Sequence, residues 1–170
     1  RAYSAVPIAR RCWPVRSAAQ MREAVHSCLD ESETVDVAIM AGAVADFTPE
    51  TIHGEKIKKS ESDLTALQMV PTDDILAQIG QRKERPFLVG FAAETQDVER
   101  NAREKLVRKG CDVICANRVG TVETGFASAD NEVMMVFSEG QTVELPKASK
   151  DHIADGILEA ISKHAFAVRG

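Results

Sequence analysis

Residues 35–59 read VDVAIMAGAVADFTPETIHGEKIKK, and the first part of that stretch decides the fold. Val35, Val37, Ala38, Ile39 and Met40 make a short apolar run that ends at Gly42. Runs of this kind form strands in the middle of a parallel sheet, buried on both faces. In open parallel sheets small ligands collect beyond the carboxyl ends of the strands, so Gly42, Ala43 and Asp46 stand where a nucleotide or cofactor could meet the backbone. A polar loop follows, with Pro49, His53 and Gly54 and the cations Lys56, Lys58 and Lys59. Lysines beside a strand end suit phosphate. A charged loop is also the usual composition of a solvated connection, and spacing alone leaves both readings open.

Working outward, Val15 ends a short strand and Ser17, with Gln20 three residues on, forms a capping box for a helix whose buried stripe is Met21, Val25, Cys28 and Leu29. After the lysine loop, Leu64, Leu67, Met69 and Val70 give an extended segment that Pro71 stops. Thr72 or Asp73 then caps a helix with Ile75, Leu76 and Ile79 inward, ending at Gly80. Pro86 opens the next strand, Phe87, Leu88 and Val89, which ends at Gly90 and Phe91. In the helix over 97–109, Lys105 and Lys109 share one side of the last turns. Two ammonium groups on one side can clamp an anion, although lysines at a helix carboxyl end also simply complement its dipole. Residues 112–115 make a third strand, from which Ala116 and Asn117 turn out. Residues 132–137 and 142–145 flank Glu139-Gly140 as an antiparallel hairpin, and Ser149 caps a last helix buried by Ile153, Ile157, Leu158 and Ile161.

Strand and helix alternating, then a hairpin and a helix, imply an α/β fold. The expected architecture is a Rossmann-like open sheet, mostly parallel, with helices on both faces and an antiparallel hairpin near the C-terminus. GxGxxG and Walker A patterns are both absent from the sequence, so nothing beyond the general fold supports a nicotinamide oxidoreductase or a P-loop enzyme.

Composition bounds the rest. The 170 residues, 44% hydrophobic and 28% charged, suit one globular domain spanning 1–170. The net charge of −5 gives no global field for nucleic acid or an anionic membrane, so the lysines must act locally. No apolar run approaches the roughly 18 residues that span a bilayer, and residues 1–13 lack the apolar centre of a signal peptide, so a cytoplasmic location is expected. Cys12, Cys28, Cys111 and Cys115 contain no CxxC and read as reduced thiols. His26, His53, His152 and His164 are scattered, and none is assigned a metal.

Four ordered motifs add an identification. AVADF, KIKK beginning ten residues after its Asp, GFAAET at 90–95 and ICAN at 114–117 resemble the phosphopantothenate-cysteine ligase family, over about residue 12 to the C-terminus. GFAAET and the second half of KIKK point to its bacterial, CTP-using branch. The resemblance implies CTP-dependent ligation of 4'-phosphopantothenate with L-cysteine through an acyl-cytidylate, giving 4'-phosphopantothenoylcysteine, CMP and pyrophosphate for coenzyme A. It also implies Mg2+ with the triphosphate, for which no protein ligand can be named from the sequence.

Position by position, the resemblance makes Lys56 the catalytic cation of a loop that closes over the activated intermediate and counts it also among the nucleotide-binding residues. Asp46 matches the contact to the cytidine, and Gly42 and Ala43 match the small pair against the base, with Gly42 standing where many members have Ala. Thr72, Asp73, Asp74 and Ile75 match the helix-opening stretch along which the nucleotide lies, as TDDI rather than the common NPDI. Phe91 matches an aromatic near the nucleotide, and Lys105 and Lys109 match the lysines that hold the triphosphate.

Members of the family begin with a strand and a Gly-rich segment that carries an asparagine for the acyl intermediate, and this sequence starts after that point. The expectation is therefore a C-terminal piece of a larger enzyme, homodimeric at full length and, in many bacteria, fused to a flavin-dependent decarboxylase. The alternative is a truncated module that binds CTP without completing catalysis.

Overall fold

The computed structural model describes residues 12–31, 35–52, 54–55, 66–118 and 130–165. In chain order the elements are α1 (Ala18–Glu31), β1 (Val37–Met40), β2 (Phe47–Pro49), β3 (Met69–Pro71), α2 (Ile75–Gly80), β4 (Phe87–Glu94), α3 (Val98–Lys109), β5 (Val113–Arg118), β6 (Asp130–Phe137), β7 (Thr142–Ser149) and α4 (Lys150–Ala165). They fall into two compact units, Arg1–Glu31 with Val44–Asp73, and Ser32–Ala43 with Asp74–Gly170.

The second unit carries the α/β sheet, in the order β1-β4-β5-β6-β7. β1 pairs parallel with β4 and β4 with β5, whereas β6 is antiparallel to both β5 and β7. Four of the five strands therefore run the same way, and β6 and β7 form the expected hairpin. Because side chains alternate across a strand, Val89, Val113, Cys115, Val133, Met135 and Phe137 form one buried face. The apolar stripe of α4, Ile153, Ile157 and Ile161 with Ala160 and Ala165, covers that face. Each fully buried isoleucine there is worth about 2 kcal/mol over an exposed one. On the opposite face a Cβ added to Gly90 would meet Ile114 Cδ1 at 2.7 Å and Leu76 Cδ2 at 2.9 Å, which places α2 against β4. Helices cover both faces, as the alternation predicts.

Arg85 and Asp112 set the entry to the two central strands. Their bidentate pair is joined by the Leu88 N–H, which donates to Asp112 Oδ2 at 2.7 Å, while the Asp112 N–H donates to the Leu88 carbonyl at 2.9 Å. The starts of β4 and β5 are thereby held level, and the register Val89 to Val113 follows. α3 ends as its sequence dictates: Gly110 takes φ +62°, and the Cys111 N–H donates back to Leu106 at 3.1 Å.

Several expectations are corrected. β1 is an edge strand among the described residues rather than a central one, and Ile39 is 41% exposed because only β4 flanks it. β4 does not end at Gly90 and Phe91 but continues to Glu94, and β5 continues through Asn117 to Arg118, because the two pair along that whole length. α2 is capped by Asp74, one residue later than expected, its carboxylate accepting from the Ala77 N–H at 3.0 Å.

In the first unit, Ser17 does cap α1, accepting from the Gln20 N–H at 3.2 Å, while Gln20 reaches back to the Arg16 N–H at 2.8 Å. No strand forms at Val15. The stripe of α1 is only half-buried, and no residue of the helix is fully buried. β2 and β3 make a separate two-stranded antiparallel sheet, which the loop-like composition around Pro49 had hidden. Pro49 and Pro71 are tolerated there because a two-stranded sheet has only edges.

Candidate functional site

Antiparallel pairing brings two of the predicted stretches together in the first unit. Phe47 lies opposite Pro71, so the residue before β2 faces the residue after β3. The Thr72 N–H accordingly donates to the Asp46 carbonyl at 2.8 Å. The Asp46 side chain is left exposed, and Thr72 Oγ1 is buried without a hydrogen-bond partner among the described residues. An orphaned hydroxyl of this kind costs free energy until a partner arrives. Asp73 faces Arg22 of α1 at 3.6 Å, an exposed pair of small energetic weight.

In the second unit, Asp74 uses both carboxylate oxygens. Oδ1 caps α2, and Oδ2 accepts from Lys109 Nζ near the end of α3. Burial by itself would raise this carboxyl. Hydrogen bonds from Lys109 and from the Ala77 N–H, with the charges of Lys109 and Arg108, outweigh burial and hold it below the ordinary aspartate range. The Lys109 side chain is 16% exposed, so the ammonium is partly withdrawn from water beside its counter-ion. Lys105, half-buried, lies one turn earlier on the same side of α3.

The remaining predicted residues make no described contact with this pair through their side chains. Ile75 is 4% exposed and belongs to the core, so only its backbone could serve a ligand. Gly42 and Ala43 are exposed in the segment that leaves β1. Phe91 is half-buried in the middle of β4 and packs with the Val89 face under α4, across the sheet from α2 and α3. Lys56 lies outside the described residues, as does the rest of the KIKK motif.

Two further features escaped the sequence reading. Asn117 Oδ1 is buried without a partner among the described residues, a polar residue closing an apolar strand, and that contrast was its available signal. Arg118 beside it borders two hollows, one lined by Gln96, Val98, Arg100 and Arg103 and one by Glu132, Glu144 and Lys147. None of the predicted residues lines either hollow. Cys111 and Cys115, reduced thiols as the sequence suggests, are buried, and burial pushes both up to about 12. At Cys111, Asp112 adds to that, and Arg85, Lys105 and Lys109 oppose it without overcoming it. Among the described residues no group of three or more His, Cys, Asp or Glu side chains could hold a metal ion. No helix among them is long and apolar enough to cross a membrane.

The model of the DNA/pantothenate metabolism flavoprotein C-terminal domain matches residues 3–165. The chain belongs to that family. The family expected from AVADF, KIKK, GFAAET and ICAN is the one found. The coenzyme A biosynthesis bifunctional protein CoaBC of Bacillus subtilis is 46% identical over 149 residues, covering 88% of this chain and 36% of that protein. Its namesake from Vibrio cholerae is 45% identical over 149 residues, covering 86% and 36%. The chain thus spans about a third of the length of these curated relatives. The solved C-terminal domain of a CoaBC protein superposes with a TM-score of 0.67 at 33% identity, over 91% of this chain and 64% of that one. Cab2 mutant H337A in complex with phosphopantothenate-cysteine has the same fold at a TM-score of 0.55 and 19% identity, over 78% of this chain and 46% of that one.

Proposed function

We propose that this chain is the ligase domain that joins 4'-phosphopantothenate to L-cysteine at the expense of CTP in coenzyme A biosynthesis. The observation that carries this reading is the family match over residues 3–165, a family of C-terminal domains whose relatives here are CoaBC proteins. A carboxylate oxygen of phosphopantothenate attacks the α-phosphorus of CTP. The bond to the β-phosphate oxygen breaks, and pyrophosphate leaves. The cysteine amine then attacks the acyl carbon of the acyl-cytidylate, CMP departs with the electron pair of the anhydride bond, and the amine proton goes to solvent or to a neighbouring base.

Both steps move negative charge that fixed cations stabilise. In this reading Lys109 and Lys105 neutralise the triphosphate, and Lys56 stabilises charge during the attack by cysteine. The Asp46–Thr72 stretch holds the cytidine, with the Thr72 hydroxyl as an available donor. Gly42, Ala43, Asp73, Asp74, Ile75 and Phe91 complete the nucleotide contacts carried over by the resemblance. Mg2+ would accompany the triphosphate and offset its charge; the described residues offer no cluster for it, and it is assigned no protein ligand. The reading also includes a cytoplasmic homodimer, fused in the longer protein to a flavin-dependent decarboxylase.

Calorimetric titration with CTP and with ATP, each with Mg2+, tests it. Tight binding of CTP with little response to ATP is expected, and equal responses to the two nucleotides would overturn the CTP assignment. Binding of CTP with no phosphopantothenoylcysteine formed from the three substrates would leave the non-catalytic module.

A further inference from the structure

Lys109 is the only triphosphate candidate whose side chain is held by a described residue, and the group that holds it is itself anchored. Asp74 cannot swing away from its lysine without giving up the cap on α2, because one carboxylate takes both the Ala77 N–H and the ammonium. An ammonium has three donors, and the contact to Asp74 uses one. The other two are left for phosphate oxygens. A free lysine loses rotamer freedom when it closes on a phosphate, whereas here that loss is already taken in folding.

Resting on the triphosphate role proposed above for Lys109, we infer that the Asp74 side chain is the positioning group of the site, presetting the Lys109 ammonium at the head of α2, so that the nucleotide contact carried over to Asp74 falls to its backbone. A carboxylate this close also repels phosphate, so the inference commits to a sign: presetting outweighs repulsion. Asp74→Ser keeps an N-cap acceptor but is too short to reach Lys109, which separates the two duties of the aspartate.

The test is a double-mutant cycle on this chain: Asp74→Ser, Lys109→Ala and the pair, titrated with CTP and separately with inorganic tripolyphosphate at two salt concentrations. Asp74→Ser should weaken tripolyphosphate about fivefold when Lys109 is present and less than about twofold in the Lys109→Ala background. A loss of equal size in both backgrounds would make Asp74 a direct or merely structural element, and tighter binding in Asp74→Ser would mean that repulsion wins; either overturns the inference. Tripolyphosphate binding that follows the predicted cycle while CTP fails to bind would refute the nucleotide assignment and leave the positioning role standing. Failure of both ligands to bind the unaltered chain would remove both.

Discussion

Gly80→Ala tests how tightly α2 is fixed against the end of α3. A Cβ at Gly80 would lie 3.0 Å from the carbonyl carbon of Lys109 and 3.1 Å from the Gly110 oxygen, and it would run into the Lys109 carbonyl oxygen itself. These are backbone atoms of a helix end that cannot rotate aside. Gly110 repeats the constraint from its own side, since a Cβ there would lie 3.0 Å from the Gly80 carbonyl. Ordinary contacts of this kind are about 3.5 Å, so relieving the clash with the Lys109 carbonyl oxygen makes α2 retreat by roughly 1.5 Å. That retreat would loosen Ile75 and Ile79, both buried. Overpacking of this kind costs up to about 3 kcal/mol, and alanine's advantage over glycine in a helix returns about 1 kcal/mol. The net loss is about 2 kcal/mol, or roughly 4–8 °C in Tm for a chain of this size. Urea unfolding followed by circular dichroism should show a lower midpoint at unchanged slope. Gly54→Ala, with nothing within 4 Å of its added Cβ, is the control and should stay within about 0.5 kcal/mol. A Gly80→Ala chain as stable as its parent would refute the close approach of the two helices.

Other perturbations reach different parts of the molecule. Lys56→Ala should spare CTP binding and abolish product formation, whereas Lys105→Ala and Lys109→Ala should each weaken CTP about tenfold at low salt, by a margin that narrows as salt rises; equal CTP affinity in all three variants would contradict this division of roles. Asp112→Asn leaves the Arg85 guanidinium, 25% exposed in its pair, without a counter-charge and should cost about 2–3 kcal/mol in urea unfolding. Because the folded state holds Asp74 below its ordinary value of 3.8, its contribution to stability is complete above that pH and is lost as the pH falls through the depressed value. Asp74→Asn should therefore make stability fall less steeply below about pH 4, read from urea midpoints across an acid series. At pH 8 a thiol reagent should label exposed Cys12 and, more slowly, half-buried Cys28, leaving Cys111 and Cys115 unmodified until the chain unfolds.

Periodicity made most of the second unit legible in advance. The helices after Asp97 and Ser149 and the hairpin about Glu139-Gly140 stand close to where the sequence placed them, and Ser149 caps the last helix as expected, but Leu158, expected inward, is 53% exposed. Strand ends were less legible. Nothing in GFAAET says that the chain stays extended as far as Glu94; pairing with residues 113–118, distant in sequence, decides it. The same limit hid β2, because Phe47–Pro49 has the composition of a loop and becomes a strand only when Met69–Pro71 lies beside it.

The sequence alone determined the alternation of strand and helix, and with it the α/β class, because side-chain period is a local property of the backbone. Its four motifs likewise determined the family, since they survive as residue patterns whatever surrounds them. Only the tertiary structure decided that β1 lies at an edge among the described residues, that Phe91 and the lysines of α3 occupy opposite faces of the sheet, and that Asp74 divides its carboxylate between a helix cap and Lys109. Those facts depend on which distant segments meet, and burial, pairing and charge neutralisation are fixed only when they do.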